Sequence, residues 1–153
     1  MPRPQMALLL GCKPWKWGKM DSEEKMDAFQ RFLADNPKAV WRTKHRRNEK
    51  RLREIPYPLN LYFYWDNTIR FRANCIDIQP GNNEDWPIPP EFRDDPEPYA
   101  VGIFMDKLEQ VEETHIEKFP KWDNPEDHYD SGNLLLARVQ DIFLHPLSTL
   151  ALG

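Results

Sequence analysis

The sequence has few of the residues from which enzymes build metal and nucleotide sites. Its 153 residues include two cysteines, four histidines and six glycines. No CxxC or HxxxH pattern supplies zinc ligands, and neither GxGxxG nor GxxxxGK[ST] is present to cradle a phosphate. A nucleotide hydrolase or deaminase would need a metal or a converging acid–base pair, and the dispersed histidines supply neither. We therefore expect a protein that is not an enzyme and has no metal and no cofactor.

Long apolar runs are also absent. No segment approaches the length of a transmembrane helix, and the N-terminal run at residues 6–11 is too short for a signal peptide. Cys12 and Cys75 fall in predicted strands, and a lone disulfide is rare in the cytosol, so both are expected in the core. We predict a cytoplasmic protein without a membrane partner. Its 40% hydrophobic content suffices for one core, so residues 1–153 are predicted to form one domain.

The net charge of −4 conceals an asymmetry along the chain. Residues 1–72 contain 16 lysines and arginines against 8 acidic residues, whereas the remainder contains 5 against 17. Half of the basic residues in the first part lie in residues 38–53, KAVWRTKHRRNEKRLR. Within this segment, residues 44–53 have too few apolar positions to bury a face. Such a segment either contacts an anionic polymer or is simply a solvated surface.

The clearest periodicity lies in residues 58–80, PLNLYFYWDNTIRFRANCIDIQP. An apolar and aromatic run is followed by Asp66-Asn67, which favour a tight turn, and then by alternating apolar and polar residues. This pattern predicts a long β-hairpin whose second strand has one buried face and one basic face. After Cys75 the alternation changes phase, which predicts either a bulge in a strongly curled sheet or a slipped register.

A buried strand and a helix are predicted before this hairpin. Residues 6–11 predict a buried strand, and the capping-box spacing of Asp21 and Glu24 predicts a helix that ends at Asn36-Pro37. Val40-Trp41 is predicted either as a short strand or as the start of a loop.

Two more helices are predicted in the second half of the chain. Thr114 with Glu117 again has capping-box spacing, and Ser131 is suited to cap a final helix that buries Leu135. Between the hairpin and a buried strand near residue 100, residues 81–98 form a long, acidic, proline-rich loop. The predicted fold is α+β: a curled, mostly antiparallel sheet or open β-barrel flanked by helices.

Aromatic residues are concentrated at predicted loops and strand ends. Of six tryptophans, Trp15, Trp17, Trp41, Trp65 and Trp86 fall outside the periodic core positions. Burial is the commoner fate of any one tryptophan, whereas several converging at one end of a sheet would form a pocket for a flat ring. Beside the basic segment, such a pocket would stack an extruded base while lysines and arginines contact phosphates.

Four segments, in order, carry a resemblance to a known group of folds. They are LLLGCKPWKW, a first strand ending in a Lys-Pro-Trp loop; VWRTKHRRN after the first helix; LYFYWDNTIRFRANCIDI as the central hairpin; and YAVGIFMDKLEQVEETHIEKF, a strand pair leading into a helix. The chain thereby resembles the PUA-like superfamily over residues 6–122, especially its EVE domains and the related YTH domains that read methylated adenine.

The resemblance implies a nucleic-acid-binding module, for DNA or RNA, that holds a modified base, in particular a methylated one, between aromatic side chains. Trp41 looks like one wall of this cage and Trp86 like a second, with Trp15, Trp17, Tyr64 and Trp65 as further lining. Phosphates would be contacted by Arg42, Lys44, Arg46, Arg47, Lys50 and Arg51. Similar domains serve as specificity modules of restriction systems, although this chain has no nuclease or ATPase motif.

Two features depart from the family pattern. Asp66-Asn67 replaces the glycine-rich hairpin turn, and the loop around Trp86 is unusually acidic, which argues against strong binding to double-stranded DNA. The rival hypothesis is a protein-interaction or toxin–antitoxin-like module whose exposed aromatics and acidic half contact a partner protein. Nucleic-acid affinity would fall steeply with ionic strength, whereas an apolar protein interface would respond little.

Overall fold

The computed structural model of the protein describes residues 5–15, 18–44, 58–116, 126 and 135–139. Its strands are β1 (Gln5–Gly11), β2 (Ala39–Thr43), β3 (Leu59–Trp65), β4 (Thr68–Pro80), β5 (Val101–His115) and β6 (Leu135–Val139). One α-helix, α1 (Ser22–Asp35), and one 3-10 turn at Pro90–Phe92 complete the elements of these residues. None of the helical segments described is long and apolar enough to cross a membrane.

The six strands form one curled sheet in the order β2-β5-β4-β3-β1-β6. Neighbouring strands are antiparallel except for β1 and β3, which run parallel. The prediction of a curled, mostly antiparallel sheet in an α+β fold is therefore confirmed at this coarse level. Strands β2 and β6 lie at the two edges of the sheet.

Helix α1 begins where the capping-box spacing predicted it. The Glu24 N–H donates to Asp21 Oδ1 at 2.8 Å, and the Asp21 N–H donates to Glu24 Oε1 at 3.3 Å. Both contacts satisfy amides that have no partner within the helix. The helix ends before Asn36-Pro37, as predicted, because proline cannot continue it. Met26 and Phe29 on its buried face pack against the sheet.

The hairpin β3–β4 is the centre of the sheet, and its prediction is confirmed. Asp66 and Asn67 have φ angles of 52° and 56°, the left-handed values that a two-residue type I′ turn requires. Asparagine and aspartate tolerate this conformation better than most residues, which explains why no glycine is needed. The change of phase after Cys75 is a bulge, because the β4–β5 register shifts between Cys75 and Asp77.

Both faces of the sheet are buried in part. Along β1, Leu8 and Leu10 belong to the larger core cluster, which includes the buried face of α1. Ala7 and Leu9, which point the other way, belong to a second cluster with Tyr62. This alternation is the period-two pattern of a strand that is covered on both sides. Strand β1 is therefore a central strand, and β6 lies outside it.

The helix predicted to bury Leu135 is wrong, and the one predicted after Thr114 is only partly covered by the described residues. Thr114 lies within β5, opposite Ile69 of β4, so it does not cap a helix, and Ile116 directly after the strand is in a 3-10 turn. Leu135–Val139 is strand β6, which pairs with β1. A five-residue, mostly apolar stretch fits the period of either element, and the open edge of β1 selects the strand because its backbone groups need partners. The remaining residues of both predicted helices lie outside the described part of the chain.

Candidate functional site

Trp41 lies on the edge strand β2 and is largely buried, with 7% of its surface exposed. Its indole packs between Phe29 of α1, at a ring-centroid distance of 5.2 Å, and Phe63 of β3, at 5.0 Å. The Lys25 ammonium lies 4.6 Å from the centroid of the same indole. Trp41 is thus a core residue, and a cation already occupies part of its ring face.

The proline-rich loop of residues 81–100 covers the open edge of β2. The Val40 N–H donates to the Pro87 carbonyl at 2.9 Å. This bond satisfies a backbone group that an edge strand would otherwise leave free. The loop brings Phe92 onto Phe29, with ring centroids 5.3 Å apart and nearly parallel. The segment predicted as an irregular acidic loop is therefore an ordered wall of the core.

A small pocket lies where this loop meets α1, β2 and the segment that follows β1. The rings of Trp15, Phe29, Trp41, Phe92 and Tyr99 line it, and its volume is about 40 Å³. This space accommodates a few water molecules, which need about 10–15 Å³ each by the same measure. It is a place where aromatic rings predicted for the site converge with charged groups, and we take it as the candidate site.

Asp95 is the acidic group of this pocket. The indole N–H of Trp15 donates to Asp95 Oδ2 at 2.9 Å, and the Tyr99 hydroxyl donates to the same oxygen. The Glu97 N–H donates to Asp95 Oδ1 at 3.0 Å. Burial and the Asp95 carboxylate raise the pKa of the Tyr99 phenol, so Tyr99 remains a hydrogen-bond donor. Asp95 therefore orients two of the aromatic rings.

Two cations, Lys25 and Arg42, also line the pocket. The Lys25 ammonium donates to the Lys13 carbonyl at 2.9 Å, and burial lowers the pKa of Lys25. The Arg42 guanidinium lies 4.7 Å from the Tyr99 ring centroid and donates to the Phe92 carbonyl. Burial also lowers the pKa of Arg42, although arginine keeps its proton in proteins. Both cations are available to a polar ligand only at the cost of these internal contacts.

Trp86, the second predicted wall, lies elsewhere. Its ring is 6% exposed and packs edge-on against Phe104, with centroids 5.5 Å apart, and directly over Gly102. Arg42 pairs with Gly102, so these two residues share one face of the β2–β5 pair, and the Trp86 ring lies on that face. Trp41 precedes Arg42 in β2, so its side chain points to the opposite face. The two indoles do not face each other. The predicted slot between Trp41 and Trp86 is therefore not formed in this structure.

The other predicted aromatic residues are also dispersed. Tyr64 is buried in the second core cluster. Trp65 is half-buried at the end of β3, where its ring stacks on Phe71 with centroids 6.0 Å apart. The Arg70 guanidinium lies 5.1 Å from the Trp65 ring centroid. Only Trp15 joins Trp41 in the pocket, and Trp17 lies outside the described residues.

The predicted phosphate-binding residues are only partly described. Arg42 is engaged in the pocket, and the Lys44 ammonium forms an ion pair with Glu97 at 2.9 Å. Arg46, Arg47, Lys50 and Arg51 lie outside the described residues, and their role remains a prediction.

The basic face predicted for β4 is neutralised by β5. Arg70 pairs with Glu113 at 2.7 Å, and Arg72 pairs with Glu109. The acidic second half of the sequence thus lies partly on the strand beside the basic residues of the hairpin. The charge asymmetry along the chain does not produce a purely basic surface on this strand pair.

Sequence reasoning missed Phe92, Asp95 and Tyr99. No local pattern distinguishes Asp95 from the other acids of its loop, and its role follows from contact with Trp15, 80 residues away in sequence. Phe92 carried a weak signal, since an apolar residue in a polar loop is often buried against the core.

The two thiols are buried and protonated. Burial raises the pKa of Cys12 to about 11 and that of Cys75 to about 12, so both thiols stay protonated near neutral pH. Among the residues that the structure describes, no three histidine, cysteine or acidic side chains are grouped to hold a metal ion.

Comparisons of the chain with protein-family models, with curated proteins and with solved structures find no match. The function of the pocket is therefore inferred from its own geometry and from the sequence pattern.

Proposed function

We propose that the protein is a nucleic-acid-binding module that holds a modified base in the pocket beside Trp41 and performs no chemistry. The observation that carries this proposal is the convergence of five aromatic rings with one carboxylate and two cations at one edge of the sheet. Aromatic rings offer a stacking surface to any base, and the charged groups can distinguish its polar edge.

The composition of the pocket suits a neutral heteroaromatic ring. Asp95 accepts hydrogen bonds, whereas Lys25 and Arg42 donate them, and nucleobases carry both donors and acceptors on their edges. A methyl group on the base would add apolar surface, which Trp41 and Phe92 are able to cover. These matches favour a base over a free phosphate, because a phosphate would place its negative charge beside the Asp95 carboxylate.

The pocket must open to admit such a ligand. A space of about 40 Å³ is far below the several hundred Å³ that pockets for drug-sized ligands usually have. Trp15 and Tyr99 are half-buried and lie outside the fully buried core, so they are the rings that can move. Trp41 is fixed between Phe29 and Phe63 and provides the stationary surface.

Tyr99→Ala tests the proposal through ligand-induced stabilisation. A panel of methylated and unmethylated nucleosides is added to the wild type, and the midpoint of thermal unfolding is measured. We expect at least one methylated nucleoside to raise the wild-type midpoint, because a ligand bound only by the folded form stabilises it. Tyr99→Ala should weaken binding by about 1–3 kcal/mol, the usual effect of removing an aromatic residue beside a base.

Trp65→Ala is the matched control, because Trp65 is also a half-buried aromatic residue but does not line the pocket. It should lower the midpoint of the free protein and leave the nucleoside-induced rise unchanged. Equal loss of the rise in both variants, or no rise in the wild type with any nucleoside, would contradict the proposed function.

A further inference from the structure

Trp15 lines the pocket from the loop that follows β1. It lies after β1, in a short loop held by two backbone bonds with Met20, at 2.7 and 3.2 Å. Gly18 lies against the face of its six-membered ring, where an added Cβ would overlap the ring. The loop thus holds the indole in place by its backbone bonds and by the contact with Gly18, and the indole contacts pocket residues as well.

The contacts of this indole are those that a bound flat ring would make. Its N–H donates to Asp95 Oδ2 at 2.9 Å. Its ring meets Phe92 edge-on, with centroids 4.9 Å apart and an interplanar angle of 68°. A hydrogen bond to a carboxylate and an edge-on aromatic contact are both favourable, directional interactions.

We propose that Trp15 occupies the place of the ligand, and that the ligand is a flat ring with an N–H donor on its edge, which replaces the indole and donates to Asp95. This inference rests on the proposed function, because it names the ligand class and the regulation of the same pocket. It assigns Asp95 as the residue that determines specificity.

The small volume of the pocket supports this replacement. With Trp15 in place, about 40 Å³ remains, so a ring cannot be added beside the indole and must take its position. Once the indole has left, the Tyr99 hydroxyl is the one donor to Asp95 Oδ2 that remains among the residues the structure describes. A partly buried carboxylate that loses a donor is destabilised, and a ligand N–H restores the lost bond. A ring without an N–H leaves Asp95 short of one donor.

Ligand binding therefore competes with an internal contact. The affinity measured for the free protein is reduced by the fraction of molecules in which Trp15 has left the pocket. Removing the indole removes this competition, so a variant without it should bind the ligand more tightly. A ring that served only as a wall of the site would have the opposite effect when it was removed.

Isothermal titration calorimetry on the full chain separates these outcomes. The probes are two matched pairs: N6-methyladenosine with N6,N6-dimethyladenosine, and N4-methylcytidine with N4,N4-dimethylcytidine. The first member of each pair keeps one N–H on the amino nitrogen, and the second has none. Trp15→Ala removes the indole, Trp15→Phe keeps a ring but lacks the N–H, and Trp65→Ala is the control outside the pocket.

We expect Trp15→Ala to bind at least one monomethyl probe about tenfold more tightly than the wild type, with Trp15→Phe in between and Trp65→Ala unchanged. Both Trp15 variants should prefer that probe over its dimethyl partner by about tenfold or more, because Asp95 is left short of a donor. Trp15→Phe keeps the experiment decisive if Trp15→Ala does not fold.

Weaker binding by both Trp15 variants, with the wild type still binding, would show that Trp15 is a wall; the inference would fail and the proposed function would stand. Equal affinity for the two members of a bound pair would overturn the role of Asp95. No binding of any probe by the wild type or the variants would contradict the proposed function itself for these bases, and the inference with it.

Discussion

Trp41→Ala is expected to lower the free energy of unfolding by about 3–5 kcal/mol, the usual cost of truncating a large buried aromatic residue. The indole is 7% exposed and contacts rings from α1 and β3, so its removal opens a cavity between the helix and the sheet. The helix cannot collapse into this space freely, because Phe29 on its buried face also stacks on Phe92 of the loop of residues 81–100.

Chemical denaturation of the variants measures this loss. Trp41→Phe keeps a flat ring and should cost much less, and Trp65→Ala should cost less because Trp65 is half-buried. A loss below about 1 kcal/mol for Trp41→Ala would show that the ring is not part of the core. Binding assays on Trp41→Ala alone would therefore confuse loss of a site with loss of the fold.

Gly102→Ala is expected to lower the free energy of unfolding by about 1–3 kcal/mol through overpacking. A Cβ at this position would lie 2.5 and 2.7 Å from two ring atoms of Trp86. The Trp86 ring is held by its edge-on contact with Phe104 and by the backbone bond from Val40 to Pro87, so it has little room to retreat. Gly102 is thus the residue that lets the loop of residues 81–100 pack onto β5.

A double-mutant cycle isolates this contact. Trp86→Leu removes the ring atoms that the added methyl group would meet, so Gly102→Ala should cost markedly less in that background, with a coupling energy of about 1 kcal/mol or more. The same cost in both backgrounds would mean that Trp86 does not lie over Gly102. The position of the loop, and the separation of Trp86 from Trp41, would then need revision.

Local patterns in the sequence are sufficient to predict the β3–β4 hairpin and the helix α1. The turn depends on Asp66-Asn67 and the helix start on Asp21 and Glu24, so each signal lies within a few residues of the feature it predicts. The bulge after Cys75 was open to a second interpretation, because a slipped register changes the alternation in the same way. The pairing of β4 with β5 decided between them.

Long-range contacts determined what the sequence could not predict. The mostly apolar segment Leu135–Val139 is a strand because it pairs with the free edge of β1. No local pattern in the sequence predicts this pairing. The tryptophans were expected to be spared from the interior, yet Trp41 is buried because the loop of residues 81–100 folds back over β2. That same fold-back carries Asp95 to Trp15, so the candidate site depends on a contact between distant segments.

The most direct test of the pocket as a ligand site is the NMR signal of each indole N–H during titration with the methylated nucleoside that stabilises the protein most. The six tryptophans give one signal each, so a single spectrum compares residues inside and outside the pocket. We predict that the Trp15 signal changes most, because its hydrogen bond to Asp95 is replaced, while the Trp65 and Trp86 signals stay in place. A change confined to Trp65 or Trp86, or no change at saturation, would contradict the account.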